Sequence, residues 1–228
     1  MMWSSDQRSE HMDEEHRWPR KGDNPFLAGT IDLSSSTWAA LHWLASREVD
    51  DSFFALAFKE AGDKIVKELN RGEDRERGEK FFLPIAYLYR HCLELKMKTI
   101  IRQGIRLQLI EKNKKISDVL RTHNLSQLWN AFKKVVQAYW PKGPQEELQA
   151  AEQIVEKFHA VDKSGQNLRY GRDKSGESTL HKLPESVELT HLQEVFEAIF
   201  NFLDGCQAGL EYEIDMRSEM LSYDHDDT

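Results

Sequence analysis

Residues 83–104 read LPIAYLYRHCLELKMKTIIRQG. The run is long enough for a helix and apolar enough to be a buried one. Yet it carries Arg90, His91, Glu94 and Lys98 in its middle. At about 100° per residue, Arg90, Glu94, Tyr87, Lys98 and His91 fall in order on a stripe about 100° wide. Ile85, Leu88, Cys92, Leu93, Met97 and Ile100 occupy the rest of the circumference. The helix is therefore central in the fold, and one polar seam runs down it. Arg90–Glu94 and Glu94–Lys98 are i, i+4 pairs, which stabilise even a solvated helix. The same stripe facing a cleft would be a binding seam, with Glu94 orienting Arg90 or Lys98.

Amphipathic segments flank this helix on both sides. SSSTWAALHWLAS opens on a Ser/Thr cap, with Trp38, Leu41 and Leu44 on one side. In the segment 51–72, Phe53, Leu56, Ala57, Ala61, Ile65 and Leu69 recur near helical spacing, and Gly72 closes it. EDRERGEK reads as a charged link, and Pro84 falls in the first turn of a helix over 81–104. Leu125, Leu128, Trp129, Phe132, Val135 and Val136 form the stripe of a further helix, stopped by Pro141. Leu148, Ala151, Ile154, Val155 and Phe158 form another. KSGQNLRYGRDKSGESTLHKLPES reads as a loop or a short extended piece. The last helix covers 188–210, with Leu192, Val195, Phe196, Ile199, Phe202 and Leu203 inward. Strand alternation and internal repeats are absent from the sequence. The fold class is all-α, an antiparallel helical bundle of five to seven helices. The expected organisation is a disordered tail over 1–25, helices over 26–80 packing on the bundle, the bundle itself over 81–211, and an acidic, fraying tail over 212–228.

Charge is unevenly placed. The 228 residues carry a net charge of −8. From Arg90 to Lys142 there are twelve Lys/Arg against Glu94, Glu111 and Asp118; from Glu185 onward there are twelve acidic residues against Arg217 alone. The basic middle either tracks a phosphate backbone or meets the acidic C-terminal part, within the chain or across a dimer. Cys92 and Cys206 both lie in apolar helical patterns and read as free thiols of a reducing compartment. No secretory pattern and no apolar run of about 20 residues occurs, so a cytoplasmic protein without a membrane span is expected. His91 and Glu94 stand one turn apart, but a second ligand pair at metal spacing is missing, so neither metal nor cofactor is expected.

Three pieces in order, LYRHCLELKMKTII, THNLSQLW and NLRYGRDKSG, resemble the HEPN superfamily of small helical bundles. The likeness rests on Arg90, His91, Glu94, Leu95 and Lys98, on His123 and Leu125, and on Arg169 and Tyr170, with Gly171 where proline is usual. It spans about residues 81–210. The resemblance implies a link to RNA, to toxin–antitoxin or antiviral systems, and to homodimers or a partner protein encoded nearby. Ribonuclease members carry Arg, four to six residues, then His; none of the nine histidines here has that spacing. The expected function is a non-catalytic module binding RNA, a nucleotide or a partner protein. The alternative is a metal-independent ribonuclease with a rearranged site drawn from Arg90, His91 and His123. The expected seam or ligand site is Tyr87, Arg90, His91, Glu94, Lys98 and His123, met by Arg169, Tyr170 and Asp173 from the late loop.

Overall fold

The computed structural model describes residues 51–72, 75–143, 145–172, 175–178 and 180–226. The expected N-terminal tail, the helix proposed around Trp38 and the site candidate Asp173 lie outside these. The described residues form seven α-helices and no strand: α1 (Asp51–Leu69), α2 (Arg75–Arg106), α3 (Lys114–Arg121), α4 (Leu125–Tyr139), α5 (Gln145–Val161), the single turn α6 (Asn167–Tyr170) and α7 (Leu189–Asp226). A 3-10 turn covers Leu180–Lys182, and one isolated bridge joins Arg172 to Ser178.

Helix α2 is the axis of the bundle, packed by α1, α4, α6 and α7, while α5 closes against α4 and α7. Its residues Ile85, Tyr89, Leu93, Met97 and Ile100 are fully buried. Against them come Phe132 and Val135 of α4 and Phe196 and Leu203 of α7. Caps set the boundaries. The side chains of Asn113 and Asn124 accept the N–H groups of Ile116 and Gln127, each at 3.0 Å, opening α3 and α4. The Glu188 carboxylate accepts from Thr190 and His191 at the start of α7.

Three glycines let helices approach closely. A Cβ at Gly62 would stand 2.6 Å from the Tyr89 ring, and one at Gly209 would stand 2.7 Å from Trp140. At Gly104 it would sit inside the Val135 side chain.

Several elements depart from the sequence reading. The expected charged link supplies the first turns of α2, which begins at Arg75; Pro84 is thus inside the helix, where it removes one backbone hydrogen bond. Gly104 does not end α2 but seats Val135. Helix α3 lies in a stretch that carried no helix expectation. The segment expected to fray after residue 211 stays helical through Asp226. The late loop contains the α6 turn and the 3-10 turn. On α1 Ile65 and Leu69 pack on the core as expected, but the fully buried face is Ala55, Lys59, Gly62 and Val66, and Phe53 and Leu56 are exposed. The reason is steric and polar together: the Tyr89 ring needs Gly62 beneath it, and Lys59 has acidic partners there. No described helix is long and apolar enough to cross a membrane.

Candidate functional site

The charged members of the α2 seam, Arg90, Glu94 and Lys98, are buried and closed over by protein, while Tyr87 and His91 are half-buried. Arg90 is 1% exposed. Its Nη1 donates to Glu94 Oε2 at 3.3 Å, its Nη2 to the His123 carbonyl at 2.5 Å, and its Nε to the Asp162 carbonyl at 3.2 Å. The same Nε stands 3.2 Å from Asp162 Oδ2, which makes no hydrogen bond. The other carboxylate oxygen, Oδ1, accepts the backbone N–H groups of Gln166 and Asn167 at 3.0 and 3.1 Å. One fully buried aspartate therefore neutralises Arg90 and opens α6. Gly165 completes the lid. With φ +78°, it lies where a Cβ would stand 3.3 Å from Arg90 Nη1 and 3.2 Å from His123 Cβ.

Glu94 gathers three cationic or protonatable groups. Besides Arg90, Lys98 Nζ donates to its Oε1 at 2.8 Å, and His123 Nδ1 lies 2.8 Å from the same oxygen. Burial alone would push the Glu94 carboxyl up; the hydrogen bonds and charges of Lys98 and then His123 outweigh it and hold the group below its ordinary value. The His123 side chain is 57% exposed, so its ring is anchored at Nδ1 and otherwise faces water.

The remaining candidates take other places. His91 stacks on Tyr87, with ring centroids 5.8 Å apart, and meets the edge of Phe58 at 4.6 Å. Burial lowers its pKa; Glu94 opposes this, and Arg169 with Arg90 and Lys98 reinforces it. The Arg169 guanidinium sits 4.9 Å over the Tyr87 ring. Tyr170 is 71% exposed. Among the described residues, neither Arg169 nor Tyr170 hydrogen-bonds to Arg90, Glu94 or Lys98. The late segment meets the seam through Asp162 and Gly165 instead. The reason is local: Gly171 caps α6 at φ +62°, a value closed to proline, and this short turn lays Arg169 on the Tyr87 ring at the edge of the stripe, away from its charged members.

Sequence reasoning missed a second polar cluster on the far side of α2. Lys96, 2% exposed, donates to Asp204 Oδ1 at 2.6 Å and to Gln207 Oε1 at 2.8 Å. Lys59 pairs with Asp63 and Glu197, and Tyr89 donates to Asp63 at 2.7 Å. Both ammonium groups lie about 5 Å from the centre of the Phe200 ring. The signal was present: Lys96 falls about 240° from Arg90, inside the apolar arc. A lysine there has to find a buried partner.

A third feature is a groove of about 980 Å³ between α3 and α4. Its rim carries Lys114, Lys115 and Lys134, all exposed and without an ion pair among the described residues. Lys133 lies there too, but is held by Glu152 at 2.7 Å. Ile116, Val119 and Ala131 form an apolar floor. Among the described residues no group of three or more His, Cys, Asp or Glu is placed to hold a metal ion. No family model, no curated protein and no solved structure matches this chain.

Proposed function

We propose that this chain is a non-catalytic, HEPN-like helical module that holds RNA by its phosphates, in the setting of a prokaryotic defence or toxin–antitoxin system. One observation carries the reading, the division of the basic segment. Arg90 and Lys98 point inward and are neutralised by Glu94 and Asp162, whereas Lys114, Lys115 and Lys134 stand outside on one groove. A guanidinium whose Nε, Nη1 and Nη2 all bond to protein acceptors has little left for a phosphorane. Exposed lysines on a groove rim can release counterions from a phosphate backbone.

The test is fluorescence anisotropy of full-length protein with a labelled single-stranded RNA across a salt series. Each phosphate contact contributes about −0.7 to the slope of log K against log salt. Lys114→Ala/Lys115→Ala/Lys134→Ala should make the slope shallower by about 2. An unchanged slope and affinity would count against this groove.

One observation favours the alternative, ribonuclease activity. His123 is exposed at its ring and anchored by a buried carboxylate, an arrangement that orients a general base. RNA cleavage in EDTA by the wild-type chain, lost in His123→Ala, would establish that reading in place of the first.

A further inference from the structure

We propose that the acidic C-terminal extension of α7, from a second copy of this chain, seats in the α3/α4 groove and closes it to RNA. The closing part rests on the RNA reading above; the association does not.

The extension is built for a partner. Ile214 is the last core residue of α7. The helix nevertheless runs on through Asp226, a further 18 Å or so at about 1.5 Å per residue. Arg217 still reaches the Leu107 carbonyl at 3.4 Å, but the hydrogen bonds of Ser218 and Ser222 are internal to the helix. Beyond that point Met220 is 62% exposed and Leu221 67%, and Tyr212, two turns before Met220, is 67% exposed. Tyr212, Met216 and Met220 follow one another at i, i+4, i+8, an apolar line on a helix that also carries Asp215 and Glu219.

The groove has the complementary surface. Its rim is cationic on balance, with Lys114, Lys115 and Lys134 against the single carboxylate Asp118, and its floor is apolar, as an acidic amphipathic helix requires. Among the described residues the chain does not satisfy this complementarity within itself. Among the described residues, Lys96 is the member of the basic segment that pairs with an acidic α7 side chain, the exposed Asp204, and it lies on the far side of α2 from the seam. Lys114, Lys115 and Lys134 have no ion pair among the described residues, and α7 is one continuous helix past the end of α2, with no turn to bring its tail back to the groove. A second copy supplies what is left, and reciprocal seating of two tails in two grooves closes the pair.

Light scattering of the full-length chain at tens of micromolar tests this. The mass of two chains is expected in 50 mM salt and of one in 0.5 M salt, because screening weakens exposed charge pairs. Asp215→Lys/Glu219→Lys should be a monomer at low salt. Adding Lys114→Glu/Lys134→Glu to it should restore the dimer, a recovery that mere loss of folding cannot produce. Met220→Ser/Leu221→Ser, which leaves charge unchanged, should weaken association at least tenfold. A monomer throughout, or a dimer untouched by tail and groove reversals, overturns the proposal. In the RNA arm, Met220→Ser/Leu221→Ser should bind RNA at least threefold tighter than the parent at low salt. Equal affinity alongside lost dimerisation overturns closure of the groove. No RNA binding by any variant, with a tail-dependent dimer intact, counts against the RNA reading alone.

Discussion

Arg90 and Asp162 are 72 positions apart, and both are sealed in the interior, with Nε and Oδ2 separated by 3.2 Å. Asp162 has two tasks, because its other oxygen holds the N–H groups of Gln166 and Asn167. Removing it leaves Arg90 with one acidic partner and opens the α6 turn. Asp162→Ala should destabilise the chain by about 3–5 kcal/mol, read from the midpoint of urea unfolding. Arg90→Lys should also be costly, since an ammonium cannot reproduce three bonds fanned over Glu94, Asp162 and the His123 carbonyl. A loss under about 1 kcal/mol in both would mean that the seam tolerates water.

The contact between Gly104 and Val135 gives a second, purely steric prediction. Gly104→Ala puts a methyl group inside the Val135 side chain and should cost about 1–3 kcal/mol. Val135→Ala opens the space that the new methyl needs. The double variant should therefore be more stable than the sum of the single losses by at least about 0.5 kcal/mol. Strict additivity in denaturant unfolding would show that α2 and α4 separate freely to admit the methyl.

The periodicity of residues 83–104 made the axis of the bundle legible, because an element apolar over most of its circumference has to be surrounded. The stripes of α4 and α5 were legible for the same reason: Leu128, Phe132 and Val135 repeat at helical spacing and are buried. The stripe on α2 also announced that Arg90, Glu94 and Lys98 share a face. What it could not announce was the partner. Asp162 follows α5 as an ordinary helix-end residue, and only the positive-φ turn at Gly165 folds its neighbours over Arg90. Arg169 does reach the stripe, over the Tyr87 ring, but the single turn of α6 keeps it off the charged members and leaves Tyr170 exposed. The face of α1 was read only in part: Ile65 and Leu69 do pack on the core, but Phe53 and Leu56 outweigh Ala55 and Gly62 in hydrophobicity, while packing against Tyr89 selects for smallness.

The two thiols should behave as interior groups. Cys92 is fully buried, and burial pushes its pKa up to about 12; Cys206 is pushed up to about 11 by the same cause. Native protein at pH 8 should react with a thiol reagent only as fast as it opens. Unfolded in urea, it should release two equivalents at once. Rapid labelling of either cysteine in the native state would place it nearer water than its helix allows.

Stability should fall as the pH is lowered from 7 to 5, and His91 should be one cause. Its pKa in the folded chain lies below the ordinary value of about 6.5, because burial beside Phe58 and Tyr87 disfavours the charged ring. The unfolded chain therefore binds the proton more readily. The stabilising contribution is complete above about pH 6.5 and is lost as the pH falls toward the folded value. His159 is lowered by its burial and by Lys163 and contributes with the same sign. Glu94 acts in a lower window: its carboxyl titrates below the ordinary value of about 4.3, so its contribution persists through pH 5 and is lost only under more acidic conditions. His91→Phe keeps a ring against Tyr87 and Phe58 and removes the titration. Melting temperature measured across pH 5–7 should fall less steeply in this variant than in the parent. His91→Phe/His159→Phe should flatten the profile further while leaving the drop below pH 4 in place. A parent profile that is flat from pH 7 to 5, or a His91→Phe profile as steep as the parent's, would show that this ring is solvated in both states.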